Sequence, residues 1–158
     1  MIRYMTLALF ASVSLVSVVV ATATGTSYGE EADIKAAVDA YHTALGTLDI
    51  SKMEPLWAHD PNVMLVNPRD TSITVGWDAV KNNWETAWTN YSSLKVTQLD
   101  GPHVVVKGDV AWSTGIANAV LTLKTGNTIT APTFETDVFE KRGSQWLLVS
   151  HIASRVPQ

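Results

Sequence analysis

His151 is the residue in this chain best suited to carry a proton, because an unperturbed imidazole changes charge near neutrality. It stands in the run LLVSHIASR, where alternation puts Leu147, Val149, His151 and Arg155 on one face of a strand. The alternative is a histidine that is simply hydrogen-bonded within the sheet. Tyr41, in AAVDAYHTALGTLD, lies on the buried face of a helix, where a tyrosine is core unless its hydroxyl has work to do. Asn67 closes the run VMLVN ahead of Pro68. Such a residue commonly ends a strand. A neutral amide there is no useful base near neutral pH, although it can orient a water or a carbonyl. Trp57, Trp84, Trp88 and Trp112 are the candidates for an aromatic wall, which with few polar groups suits a flat, apolar small molecule. The competing role for each is core, and Trp77 and Trp146 read as core or interface.

Other chemistries find no support in the spacing. His59 and Asp60 share a turn, with no second histidine or carboxylate at ligand spacing. His42 falls on the polar side of its helix and His103 in a turn, so both read as solvated. No serine sits in a nucleophile elbow, and no glycine loop is built for phosphate. The chain has no cysteine, which excludes disulfides, thiolate metal sites, a thiol nucleophile and a lipidated cysteine anchor. The expectation is therefore a site without metal or cofactor.

The elements that must position these residues are read from periodicity. Ile34, Ala37, Val38, Tyr41, Leu45 and Leu48 recur at helical steps and predict a helix over 30–48. A short helix follows, capped by Asp49 or Ser51, with Met53, Leu56 and Trp57 on its apolar side and Pro55 near its first turn. Val63 to Asn67 is a strand and 68–72 a loop. A third helix runs from Gly76 to about Tyr91, with Trp77, Val80, Trp84, Ala87, Trp88 and Tyr91 on one stripe. Strands follow at 94–99, 104–106, 110–123, 128–140 and 146–154, with turns at Asp100-Gly101-Pro102, Lys107-Gly108-Asp109, Gly126-Asn127 and Arg142-Gly143-Ser144. Gly115 is expected to bend its strand, and Pro132 to weaken the start of the next. Helices first and an antiparallel meander after make an α+β domain.

The length of 158 residues suits one domain, and 46% hydrophobic residues can fill a sizeable core. A net charge of −4, with scattered lysines, argues against a nucleic-acid partner. Residues 1–23 have the form of a secretory signal peptide: Arg3, an apolar stretch from Leu7 to Val20, then Ala21-Thr22-Ala23. An uncleaved anchor is the alternative, but the stretch is short for a membrane span and carries Ser12, Ser14 and Ser17. Cleavage leaves a secreted or periplasmic protein with no membrane attachment, a flexible leader over 24–29, and a domain over 30–156. Both faces of the 110–123 strand are apolar, with Trp112, Ile116 and Val120 on one side and Ala111, Ala117, Ala119, Leu121 and Leu123 on the other. One face is expected on the helices and the other on a second subunit, as a homodimer.

Taken in order, AAVDAYHTALGTLD, LWAHDPNVMLVNP, GWDAVKNNW, GDVAW and DVFEKRGSQWLLVSHIASRVP resemble the SnoaL-like proteins of the nuclear transport factor 2-like superfamily, which includes steroid delta-isomerases, polyketide cyclases and kinase association domains. The resemblance implies a cone: a curved, mostly antiparallel sheet around about three helices, with an apolar pocket inside. It puts Tyr41 at the isomerase tyrosine, Asp137 of ETDVFEK at the later acid, and Asn67 where those enzymes carry their base. In ketosteroid isomerase, a worked example of pKa tuning, a tyrosine and a protonated aspartic acid bind the oxyanion. Tyr41 and Asp137 would be such a pair, with no base at position 67. Three functions stay open: a binder of a small hydrophobic molecule, an isomerase- or cyclase-type enzyme in which His151 or a water held by Asn67 moves the proton, and a dimeric association module. Fold alone does not choose among them.

Overall fold

A computed structural model describes residues 24–157 of the chain; the signal-peptide reading of 1–23 lies outside the described residues. Helix α1 spans Thr24–Thr47, α2 Ile50–Met53, followed by a 3₁₀ turn at Glu54–Leu56. Strands β1 (Met64–Val66) and β2 (Thr74–Val75) precede α3 (Trp77–Trp88). Four long strands finish the chain: β3 (Tyr91–Lys107), β4 (Val110–Leu123), β5 (Thr128–Arg142) and β6 (Gln145–Arg155). They form one sheet in the order β2-β1-β6-β5-β4-β3, antiparallel except where β1 runs parallel to β6.

The helical stripes behave as their spacing demands. Ile34, Val38, Tyr41 and Leu45 of α1 are buried, as are Trp77, Val80, Trp84 and Trp88 of α3. With Met53, Trp57, Leu65, Phe139 and Leu148 they make one core between helices and sheet. Each such side chain contributes roughly 1.5–3 kcal/mol on burial. Asp49 caps α2, its carboxylate accepting from the Ser51 N–H at 2.9 Å. Gly46 lets α1 lie close on β3, since a Cβ there would stand 3.1 Å from the Leu94 carbonyl oxygen.

Three expectations are corrected. Residues 24–29 begin α1 instead of forming a leader. The turn expected at Asp100-Gly101-Pro102 is an irregularity inside one seventeen-residue strand, where the β3–β4 register shifts between Gln98 and Asp100 and again between Asp100 and His103. Gly115 faces that irregularity, and its own pairing with β5 is unbroken. A Cβ on Gly115 would meet the Asp100 carbonyl oxygen at 2.7 Å, so only glycine lets β3 fold in so closely. Pro132 is tolerated because β6 has already ended there: Thr133 pairs with Arg155, and beyond it only the Val156 N–H reaches the Pro132 carbonyl, at 3.0 Å.

The parity of β4 sets the site. Ala111, Ser113, Gly115 and Ala117 are buried on the inner face of the sheet. Trp112 is 39% exposed on the opposite face, beside Phe134 at 43% and Ile152 at 46%. At Gly115 the inner face is pressed by Gln98 and Asp100 of β3, where there is no room for a side chain.

Candidate functional site

Strand register builds the floor of the site. Ser113, Asp137 and His151 are direct cross-strand partners on β4, β5 and β6, all buried and inward-facing. His151 Nδ1 lies 2.7 Å from Asp137 Oδ1, and Ser113 Oγ donates to Asp137 Oδ2 at 3.3 Å. One step along the strands comes Glu135 beside Ala153, and a further step brings Thr133 beside Arg155. Glu135 Oε1 accepts from Thr133 Oγ1 at 3.2 Å, while its Oε2 lies 2.8 Å from His42 Nε2 on α1.

These groups are tuned against one another. Burial would raise the Glu135 pKa, but the His42 hydrogen bond, the charges of His151 and His42 and the Thr133 hydroxyl together hold it below the usual carboxylate value. Glu135 is therefore an acceptor, and His42 Nε2–H donates to it. Burial would lower the His151 pKa, but the hydrogen bond and charge of Asp137, with the charge of Glu135, outweigh it and raise the imidazole above its ordinary value. The Tyr41 ring packs 4.9 Å from the His151 ring. Burial, then the Asp137 and Glu135 charges, push the Tyr41 phenol up, so it stays protonated. Its buried hydroxyl has no partner among the described residues.

Above this floor opens a cavity of about 640 Å³. Glu135, His151 and Thr133 line one part of it, and Leu45, Leu94, Val96, Leu121, Ile129 and Trp84 supply its apolar wall. Asn67, Arg69, Asp70, Asn83, Tyr91 and Arg155 also line it. Asn67 is held rather than free: its Nδ2 donates to Asp70 Oδ2 and to Asn83 Oδ1, each at 3.1 Å, and its backbone N–H donates to Asp70 Oδ2 at 2.8 Å. Asn83 in turn donates to Thr74 Oγ1 at 3.3 Å.

The structure thus brings Asn67, His151 and Trp84 to one cavity. Tyr41 and Asp137 sit behind His151 and are not among the lining residues, which departs from the oxyanion pairing that the resemblance implied. Trp57 is core, and Trp88 stacks on Trp84 with centroids 5.7 Å apart. Trp112 is on the outer face, for the parity reason given above. His42 is buried and not solvated. Two-residue alternation from Asp137 would have found Glu135, but nothing in the sequence announces the His42 contact. Asp70, Arg69 and Asn83 were passed over because a loop and a polar helix face carry no periodic signal.

No curated protein gives a match to the sequence. Among solved structures, a nuclear transport factor 2-like superfamily protein from Salmonella enterica superposes with a TM-score of 0.77 at 18% identity, over 83% of this chain and 94% of that one. A ketosteroid isomerase-like protein from Erwinia carotovora atroseptica gives 0.69 at 22%, over 82% and 98%. A candidate calcium/calmodulin dependent protein kinase II association domain from Xanthomonas campestris gives 0.68 at 25%, over 79% and 86%. These likenesses agree with the α+β cone. The model of the SnoaL-like domain matches residues 34–158, which takes in the floor, the cavity wall and Asn67, and so the chain belongs to the SnoaL-like domain family.

Proposed function

We propose that this chain is an exported domain that binds a small, mostly apolar molecule in the cavity of the cone. The observation that carries the reading is the cavity itself: about 640 Å³, with aliphatic side chains and Trp84 forming an apolar wall and polar groups converging on it from the sheet floor and the loop after β1. Export rests on the form of residues 1–23. Nile red, a neutral apolar dye, is expected to bind one to one with enhanced fluorescence. Ala131 lines the cavity, and Ala131→Trp should fill it and abolish binding. Equal dye binding by the substituted protein would sink the reading.

A second reading, an acid–base enzyme, is favoured by one observation. Glu135 and His151 share the cavity with pKa values pushed apart, one kept as a carboxylate and the other favoured as an imidazolium. Glu135 would take a proton from a carbon beside a ketone carbonyl, while the imidazolium donates to the carbonyl oxygen. Asn67 then need not be the base. Exchange of ketone α-protons for solvent deuterium, followed by NMR, should be lost in both Glu135→Gln and His151→Gln. Exchange that survives both substitutions removes the enzyme.

The outer sheet face, with Trp112, Phe134, Ile152 and Met64 exposed, supports a homodimer in this reading. The likeness to a candidate association domain points the same way. Trp112→Glu should convert the dimer to a monomer in sedimentation. A monomer before substitution would end that part of the proposal.

A further inference from the structure

The described residues contain three arginines. Arg142 is committed to Asp60 and Glu140. Arg69 and Arg155 have no hydrogen-bonded or ion-paired partner among the described residues, and both line the cavity. They come from separate elements, the loop after β1 and the last residue of β6, so one run of basic sequence does not account for the coincidence. The chain as a whole is acidic, with a formal charge of −4. Asp70 lines the same part, but its Oδ2 is taken up by the backbone N–H and Nδ2 of Asn67, which leaves two unpaired guanidinium groups there to recognise an anion.

The other part of the cavity is less suited to an anion. Glu135 lines it as a carboxylate, with the Asp137 carboxyl group behind His151. Strand register spaces the groups: His151 lies four residues from Arg155 on β6, on the order of 13 Å, and Glu135, paired with Ala153, lies two residues from the Arg155 position, on the order of 7 Å. Between His151 and Arg155, Ala153 is small and the wall is aliphatic.

We propose, building on the binding role above, that the ligand is an amphipathic organic acid. Its carboxylate lies against Arg69 and Arg155, its apolar body fills the cavity, and its far end reaches Glu135 and His151. The arginines fix which end of the molecule meets the titratable pair.

Isothermal titration of the full chain with 4-butylbenzoate and its neutral isostere 4-butylbenzamide tests this. The acid should bind about tenfold or more tightly than the amide, as expected for a charge-assisted bidentate contact. That preference should shrink as salt is raised, because exposed charges are screened. Arg69→Gln and Arg155→Gln should each remove several-fold of the preference, read as the ratio of acid to amide affinity in the same variant. Both arginines are exposed, so the variants keep the core. If acid and amide bind alike, or if neither substitution alters the preference, the arginine assignment is overturned while the cavity reading stands. If neither compound binds at millimolar concentration, the cavity reading falls and the acid falls with it.

Discussion

The floor and the loop side of the cavity are built from opposite materials. The floor is sheet: Asp137, Glu135 and His151 are fixed by register, nearly inaccessible to water, and each is bonded to another strand or helix. The loop side carries Asn67, Arg69 and Asp70 on a segment joining two short strands, with partners in the loop itself and on α3. Buried polar groups that are fully bonded are rigid and costly to disturb, whereas loop groups can be exchanged at small cost. Substitutions should therefore split into two classes, stability on one side and ligand choice on the other.

The largest effect should come from Asp137→Ala. It strands a buried imidazole and the Ser113 hydroxyl, and breaking a buried pair by removing one partner costs about 3–5 kcal/mol. Urea denaturation should show a matching fall in midpoint. A loss no larger than that of a surface substitution would mean that the floor is not the rigid half.

The floor should also set the pH profile of stability. The raised His151 contributes in full below the ordinary imidazole value of 6.5, and its contribution is lost as pH rises through the folded-state value. The depressed Glu135 contributes in full above the ordinary 4.5 and is lost as pH falls through its folded-state value. Both act together between these limits. Thermal unfolding of His151→Gln across pH should lack the decline on the alkaline side, and an unchanged slope there would contradict the assignment.

On the loop side, Asn67→Asp places a carboxylate where an amide now donates to Asp70. A cost of about 1 kcal/mol at neutral pH is expected, shrinking in acid as one of the two carboxylates takes up a proton. Denaturation at two pH values checks it. Smallest of all, Arg69→Gln should change stability by less than about 0.5 kcal/mol, since the side chain is exposed and unpaired. A larger loss would show that the loop side is structural after all.

Much of this was legible where periodicity is strong. The stripe of α3, the span of β4 and the shared face of His151 and Arg155 follow from spacing alone. The direction that each face points was harder, because the usual rule that large apolar residues go inward is reversed on β4. Ala111, Ser113 and Gly115 are buried on the inner face, and Trp112 and Ile116 are not. Residue volume against a tightly wrapped sheet decided that, and no single-strand pattern reports the volume available. His42 was hidden for a related reason: its partner Glu135 is 93 residues away, so a polar side chain on a helix looked solvated until the register of β5 was known.

The irregularity in β3 has a consequence for the chain's life in solution. β3 is the longer of the sheet's two edge strands, seventeen residues against two for β2, and a long straight edge invites another strand to pair with it. Here the edge is broken between Gln98 and His103, and Pro102 removes one donor from the ladder. Lys95 and Lys107 stand on either side of the break. A second chain could find only two short stretches to match, separated by a kink and flanked by charge. The same irregularity that seats β3 against Gly115 thus also guards the protein against growing into fibres along this edge.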